Sequence, residues 1–247
     1  MFDLNGRTAL VTGAGQGVGA GIARLLAQSG AKVGVNDLHA DRAANTVDAI
    51  RAADGVAAPA CFDVADYEAV VAGLKGLEGE LGPLGILVNN AGIPENMGIR
   101  PFRETQPEDW RPYVDVNLYG VMNCARAAID GMCGRGFGRI ITISSGAGTT
   151  GLSLGIAPYG AGKGGGLSFM RHLAMESARE GVTANTVALG LMRNPDPEVT
   201  AHLEKAIPTG RVGTPEDVGA ICVYLASDEA SWITGQTIQL NGGNLTT

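Results

Sequence analysis

Metal-ligating and disulfide-forming side chains are scarce in this chain. Its 247 residues hold four cysteines, Cys61, Cys124, Cys133 and Cys222, with no C-x-x-C pair, and three histidines, His39, His172 and His202, without ligand spacing. That pattern argues against a metal site or a disulfide-stapled fold and predicts reduced, structural cysteines. Positive charge is thin as well: 18 Lys and Arg against 25 Asp and Glu leave a net −7, with no basic cluster. A surface that tracks nucleic-acid phosphates is not expected, and an acidic carrier protein finds little to attract it. No run reaches the ~18 apolar residues of a membrane span. The opening MFDLNGRTALVTG meets a polar turn after four residues and lacks the basic start of a leader. The expectation is a soluble, cytoplasmic protein with neither membrane nor nucleic acid as partner.

Glycine is the excess. There are 38, about 15% of the chain against a usual share of about 7%. Glycine and proline together stay below the level of a disordered chain, so these residues belong to turns and close backbone contacts.

Short aliphatic runs recur at TALVT (from Thr8), KVGVND (Lys32), AAPACFDV (Ala57), LGILVNNAG (Leu84), RIITIS (Arg139), VTANTVA (Val182) and QTIQL (Gln236). They read as strands. Between them lie helical stretches such as GAGIARLLAQSG, ADYEAVVAGLKGLEGEL, PEDWRPYVDVNLYGVMNCARAAIDGM, APYGAGKGGGLSFMRHLAMESARE and PEDVGAICVYLASD. Such alternation predicts right-handed βαβ crossovers, hence an α/β fold with a doubly wound parallel sheet and helices on both faces. Nothing resembling a linker divides residues 1–247, which are expected to form one domain. Two segments without clear periodicity, about 93–107 and 190–210, follow strands and are candidate substrate loops.

TGAGQGVG, Thr12 to Gly19, joins the first strand to the first helix. There, backbone amides and a helix dipole can face a pyrophosphate that no Cβ holds off. Asn36 and Asp37 end the second strand, about twenty residues on, where a carboxylate accepts from ribose hydroxyls and repels a 2′-phosphate. No Lys or Arg stands in the glycine loop or directly after Asp37. NAD is therefore expected in preference to NADP.

TGAGQGVG, NNAG (Asn89 to Gly92), the serine pair Ser144-Ser145 and YGAGK (Tyr159 to Lys163), in that order, resemble the classical short-chain dehydrogenase/reductase family. The resemblance spans essentially the whole chain. It implies a single-domain Rossmann fold with a seven-stranded parallel sheet, and hydride transfer between a nicotinamide cofactor and an alcohol or ketone. It also implies roles by position. Gly13, Gln16, Gly17 and Val18 would approach pyrophosphate and adenosine, Asp37 the ribose, and Asp63 and Val64 the adenine. Asn90, Ala91 and Gly92 would floor the cofactor, and Met192 would stand beside the nicotinamide. Tyr159 and Lys163 would contact the cofactor and, with Asn117 and Ser145, form the catalytic set, Ser144 being the alternative serine. Three departures stand out: Leu189-Gly190 where the family commonly has Pro-Gly, Asn194 where a threonine often holds the cofactor, and fourteen positions between Ser145 and Tyr159, one more than usual.

The tyrosine and lysine also make sense as chemistry. Four positions apart, they share one helix face. A phenol that titrates near 10 needs a shift of two to three units to work as acid or base near neutrality, and an ammonium within about 4–6 Å, aided by the positive nicotinamide ring that the resemblance implies, can supply it. Gly162, Gly164, Gly165 and Gly166 each cost that helix about 1 kcal/mol against alanine. In the resembling family this helix packs on a symmetry mate, so Gly165 or Gly166 is expected to support such contact in a homo-oligomer, a dimer or a homotetramer. Leu152, Leu154, Ile156, Leu191 and Met192 either line an apolar substrate pocket or fill core. The pocket reading suits an alicyclic, steroid-like or 3-hydroxyacyl substrate. The rival reading is a non-catalytic NAD(H)-sensing regulator on the same scaffold.

Overall fold

The computed structural model describes residues 1–92, 98–194 and 196–246. Seven strands form one parallel sheet: β1 (Thr8–Val11), β2 (Lys32–Val35), β3 (Val56–Pro59), β4 (Leu84–Asn89), β5 (Gly138–Ser145), β6 (Val182–Leu189) and β7 (Thr237–Leu240). Their order is β3-β2-β1-β4-β5-β6-β7, so the winding reverses between β1 and β4 and opens a crevice beyond their carboxyl ends. The third strand is shorter than its apolar run predicts. It stops at Pro59, on the sheet's edge, where a missing N–H costs no ladder bond.

Side-chain alternation sends each strand into two cores. On β1, Ala9 and Val11 join one face and Leu10 the other; on β4, Ile86 and Val88 oppose Leu87. The first face packs on α1 (Gly17–Gln28), α2 (Ala40–Arg51) and α8 (Pro215–Ala226) through Ile22, Leu26, Val47 and Val218. The second packs on α3 (Tyr67–Leu81), α5 (Gly120–Arg135) and α6 (Ala157–Ser177) through Leu74, Leu77, Met132 and Met170. This is the doubly wound architecture expected from the sequence. Apolar burial on both faces explains why the strands read as continuous runs.

The stretch predicted as one helix from Pro107 is continuous but irregular. Helix α4 (Pro107–Val114) passes into α5 through a wider π turn over Asp115–Tyr119. Such turns shift the helix face by a residue, and this one carries Asn117. The 190–210 segment holds more order than its aperiodic sequence predicts. Asp196 caps α7 (Pro197–Glu204) by accepting from Glu198 N at 2.8 Å. Its prolines obscure a helical period that one of them, Pro197, helps to start. Of the two expected substrate loops, residues 93–97 and 195 lie outside the described residues.

The glycines of α6 serve close contacts within the chain. A Cβ on Gly162 would lie 2.8 Å from Tyr113 O and 3.0 Å from Asn117 Cβ; one on Gly166 would lie 2.9 Å from Asn117 O. Gly165 faces Leu118 and Gly164 faces Gly148 O. These residues let α6 press onto the π turn and the β5–α6 loop of its own chain. Gly76, on the exposed side of α3, has nothing within 4 Å of its Cβ position. Gly76→Ala should therefore raise the unfolding free energy by up to about 1 kcal/mol, while Gly162→Ala should lower it by about 1–3 kcal/mol despite better helix propensity. Opposite shifts of the urea midpoint would bear this out, and stabilisation by both would refute the packing argument.

Candidate active site

The crevice at the winding reversal is a cleft of about 360 Å³ walled by the glycine loop, the ends of β2 and β4, and the chain after β3. Helix α1 begins at Gly17 with no acidic residue in its first turn and no side chain capping it from Gln16, so its first amides are open to an anion. The glycines do different work here. Gly17 has φ +55° and nothing within 4 Å of its Cβ position, leaving the cleft side bare. A Cβ on Gly19 would collide with Gly13 O and Asn90 Nδ2, so that glycine brings helix and strand together.

Hydrogen bonds lock the surrounding loops. Asn90 Nδ2 donates to Thr12 O at 2.9 Å and Gly13 O at 3.0 Å, while Asn90 N and Ala91 N both donate to Thr12 Oγ1. Asn36 accepts from Gly13 N at 3.3 Å and donates to Ala60 O and Phe62 O. Asp37 is 7% exposed, and its two carboxylate oxygens accept one backbone N–H each, from Gly15 and His39, both at 3.0 Å. Gly13, Gln16, Gly17, Val18, Asp37, Asp63, Val64, Asn90, Ala91 and Gly92 all line this one cleft. These features fit a dinucleotide: open helix amides for the pyrophosphate and an anchored carboxylate with lone pairs to spare for ribose hydroxyls.

A second cluster stands at the β4, β5 and α6 end. Lys163 is 6% exposed and its Nζ donates to Ile143 O at 2.8 Å. A Cβ on Gly92 would collide with Lys163 Nζ and stand 2.7 Å from Asn117 Oδ1, so only a glycine lets the three groups meet. Asn117 Nδ2 donates to Tyr113 O at 2.9 Å, four residues back in the widened helix, whereas Asn117 Oδ1 is buried without a partner among the described residues. An orphaned acceptor in that position suits a bound water or ligand hydroxyl. The two serines diverge as strand neighbours must. Ser144 Oγ donates to Lys163 O at 3.4 Å, and Ser145 shares a hydrogen bond with the Tyr159 phenol.

Burial sets the proton affinities here. It pulls Lys163 down to about 8 from the ordinary lysine range. It also raises the Tyr159 phenol, which the Ser145 hydrogen bond partly offsets. Lys163 Nζ stands 5.8 Å from the ring centroid, within the expected reach, but among the chain's own groups desolvation prevails over the depression expected from the ammonium together with the cofactor's positive ring.

Around this cluster, Gly98 is held by the Tyr113 hydroxyl through both its N–H and its carbonyl, and Arg100 N donates to Gly155 O at 3.0 Å. Leu152 and Leu154 are 41% and 54% exposed, so they do not fill core; Ile156, Leu191 and Met192 are half-buried. Met192 bridges Gly213. Asn194 turns its side chain to the local backbone, accepting from Asp196 N at 2.9 Å, and thus serves the start of α7. Gly190 abuts Asn241, a close approach that Leu189 in place of proline leaves intact.

Two wall residues escaped the sequence reading. Tyr113 precedes Asn117 by one helical turn, a spacing that could have flagged it. Arg42 lines the Asp37 end of the cleft, brought back by the first turn of α2 although it lies five residues downstream. Among the described residues no cluster of His, Cys, Asp and Glu could hold a metal ion, and no helix is long and apolar enough to cross a membrane.

A protein-family model described as enoyl-(acyl carrier protein) reductase matches residues 13–244. Acetoacetyl-CoA reductase from Shinella zoogloeoides is 40% identical over 243 residues, covering 96% of this chain and 98% of that protein. The 3-oxoacyl-(acyl-carrier-protein) reductase FabG of Vibrio cholerae serotype O1 is 37% identical over 248 residues, with 98% of each chain covered. A gluconate 5-dehydrogenase from Burkholderia cenocepacia J2315, solved in complex with NADP and tartrate, superposes with a TM-score of 0.90 at 36% identity, covering 98% of this chain and 96% of that one. With matches running nearly end to end and a seven-stranded Rossmann sheet beneath them, the chain belongs to the classical short-chain dehydrogenase/reductase family and is an oxidoreductase acting between hydroxyl and ketone.

Proposed function

We propose that the protein interconverts a 3-hydroxyacyl thioester and the matching 3-oxoacyl thioester, with a nicotinamide dinucleotide as redox partner and NAD preferred. The observation that carries this reading is the meeting of Tyr159, Lys163, Ser145 and the unpartnered Asn117 Oδ1 at the mouth of the dinucleotide cleft. The names of the acetoacetyl-CoA and 3-oxoacyl relatives support the acyl class. The exposed Leu152 and Leu154 give an acyl chain an apolar surface. A net charge of −7 gives an acidic carrier protein little to attract it. The Asp37 carboxylate, pinned by two amides, supports NAD.

Gly13, Gln16, Gly17 and Val18 would hold the pyrophosphate and adenosine, with Asp63 and Val64 at the adenine. Asn90, Ala91 and Gly92 would lie beneath the cofactor, and Met192 beside its reactive ring. When bound, the nicotinamide supplies or accepts the hydride. In the reducing direction Ser145 donates a hydrogen bond to the ketone oxygen and Tyr159 delivers the proton to it. Burial keeps the phenol protonated, which suits the acid role. Lys163 would bind the ribose, and it holds positive charge behind the phenol. Asn117 Oδ1 secures the water through which the proton is replaced. A regulator that only senses NAD(H) would have no use for this complete set.

Tyr159→Phe should cut the rate of acetoacetyl-CoA reduction by about 10²–10⁴-fold while NADH binding, followed by fluorescence, survives. A variant that keeps its rate would remove Tyr159 from the mechanism.

Lys163 carries its charge at a cost to stability. Below about pH 8 the ammonium persists in folded and unfolded chains alike and its full burial cost applies. Between there and the ordinary value of 10.5 the unfolded chain alone keeps the proton, so stability climbs with pH. Relative to Lys163→Met, the native protein should gain up to about 3 kcal/mol across that interval, measured by urea unfolding at both ends. A difference that ignores pH would show that the buried amine titrates normally.

A further inference from the structure

We propose that Leu245 is a positioning residue for the reaction: through Gly146 it holds Ser145 in the orientation that meets the substrate oxygen, and Asn241 holds Leu245 in place. The inference rests on the role given to Ser145 above and goes beyond it, because neither Asn241 nor Leu245 belongs to the motifs that carry the chemistry. After β7 the chain bends back as a hook over residues 241–245. Gly242 and Gly243 both take positive φ, +61° and +87°, a path that favours glycine. The Asn241 amide closes the hook with both of its ends. Its Oδ1 accepts from Gly243 N at 2.9 Å, and its Nδ2 donates to Leu245 O at 2.8 Å.

The hook sits on the reacting end of the sheet. Gly190 N donates to Leu240 O at 3.0 Å, and a Cβ on Gly190 would lie 2.6 Å from Asn241 Cβ, so the base of the hook rests against the chain leaving β6. Its far end reaches β5. A Cβ on Gly146 would stand 3.0 Å from Leu245 Cδ1, so the leucine methyl covers the bare backbone position directly after Ser145. That position is the middle of a tight turn, because Ser145 Oγ accepts from Ala147 N at 3.2 Å. The direction of the hydroxyl therefore depends on how Gly146 lies. A third strut comes from the end of the 190–210 segment, where Thr209 N donates to Gly242 O at 3.1 Å. The hook is thus braced from two sides and bears on the serine turn from above. A donor aimed at a developing oxyanion acts only when it is in place, and a misplacement of about 1 Å can cost about a hundredfold in rate.

The test is a double-mutant cycle on the kcat of acetoacetyl-CoA reduction by NADH, run on the intact chain with and without Ser145→Ala. Leu245→Ala should lower kcat about tenfold in the native background, while Leu245→Met, which refills the space over Gly146, should keep most of the rate. Asn241→Asp retains the acceptor for Gly243 N but loses the donor to Leu245 O, and it should follow Leu245→Ala. The NADH dissociation constant, read by fluorescence, should stay within about twofold in all of them. Where Ser145→Ala has already removed the group being positioned, Leu245→Ala should cost less than about twofold more. A loss of equal size in both backgrounds, or a kcat that Leu245→Ala leaves unmoved, would overturn the assignment and leave the role of Ser145 standing. Weakened NADH binding in Leu245→Ala and Asn241→Asp alike would mark the hook as a general prop of the fold and overturn it too. A native rate in Ser145→Ala itself, or no turnover by the native protein, would overturn both readings.

Discussion

Lys163 brings an ammonium into the interior at the carboxyl end of a parallel sheet, where burial draws its proton affinity down to about 8 and Ile143 O meets it at 2.8 Å. Much of the neighbouring structure follows from housing that group. Gly92 has no side chain because one would collide with Nζ, and α6 is rich in glycine so that it can settle against Asn117. The π turn places Asn117 where one oxygen is left unspent beside the amine. Each of these features is locally unfavourable. Glycine weakens a helix, a π turn breaks its ladder, and a buried acceptor without a donor is costly. Their coincidence at one spot is the mark of a site maintained for chemistry.

The opposite end of the cleft works by a different economy. There the polar groups are satisfied before any ligand arrives, with Asn36, Asp37, Asn90 and Thr12 stitching three loops into a rigid wall. A carboxylate anchored in this way keeps its charge in place without having to move. The cleft thus joins an end whose polar groups are already satisfied to one whose polar valences remain partly open, and the reversal of winding between β1 and β4 puts both on one crevice.

Burial also explains why the phenol departs from the sequence expectation. An i, i+4 spacing puts Tyr159 and Lys163 on one face, but that face is partly desolvated, and desolvation raises a phenol while it lowers an amine. Spacing conveys neighbourhood; it says nothing of how much water remains. The α6 glycines teach the same lesson. Their helix cost could be read from the chain, yet their close approach to Tyr113 and Asn117 depended on where α4 and α5 lie.

Periodicity and motif order determined the strand and helix alternation, the doubly wound sheet, the glycine-loop cleft and the residues gathered at its two ends. Those features arise from local propensity and from short-range patterns that repeat along the chain. Tertiary structure decided what depends on groups distant in sequence. It chose Ser145 over Ser144 as the neighbour of Tyr159, by sending alternate side chains to opposite faces of β5. It stopped β3 at Pro59, found a helix in a proline-rich loop, and returned Arg42 to the side of Asp37 through one turn of α2. Contact between such residues is a matter of packing and desolvation, and neither is written in the spacing of letters along a single chain.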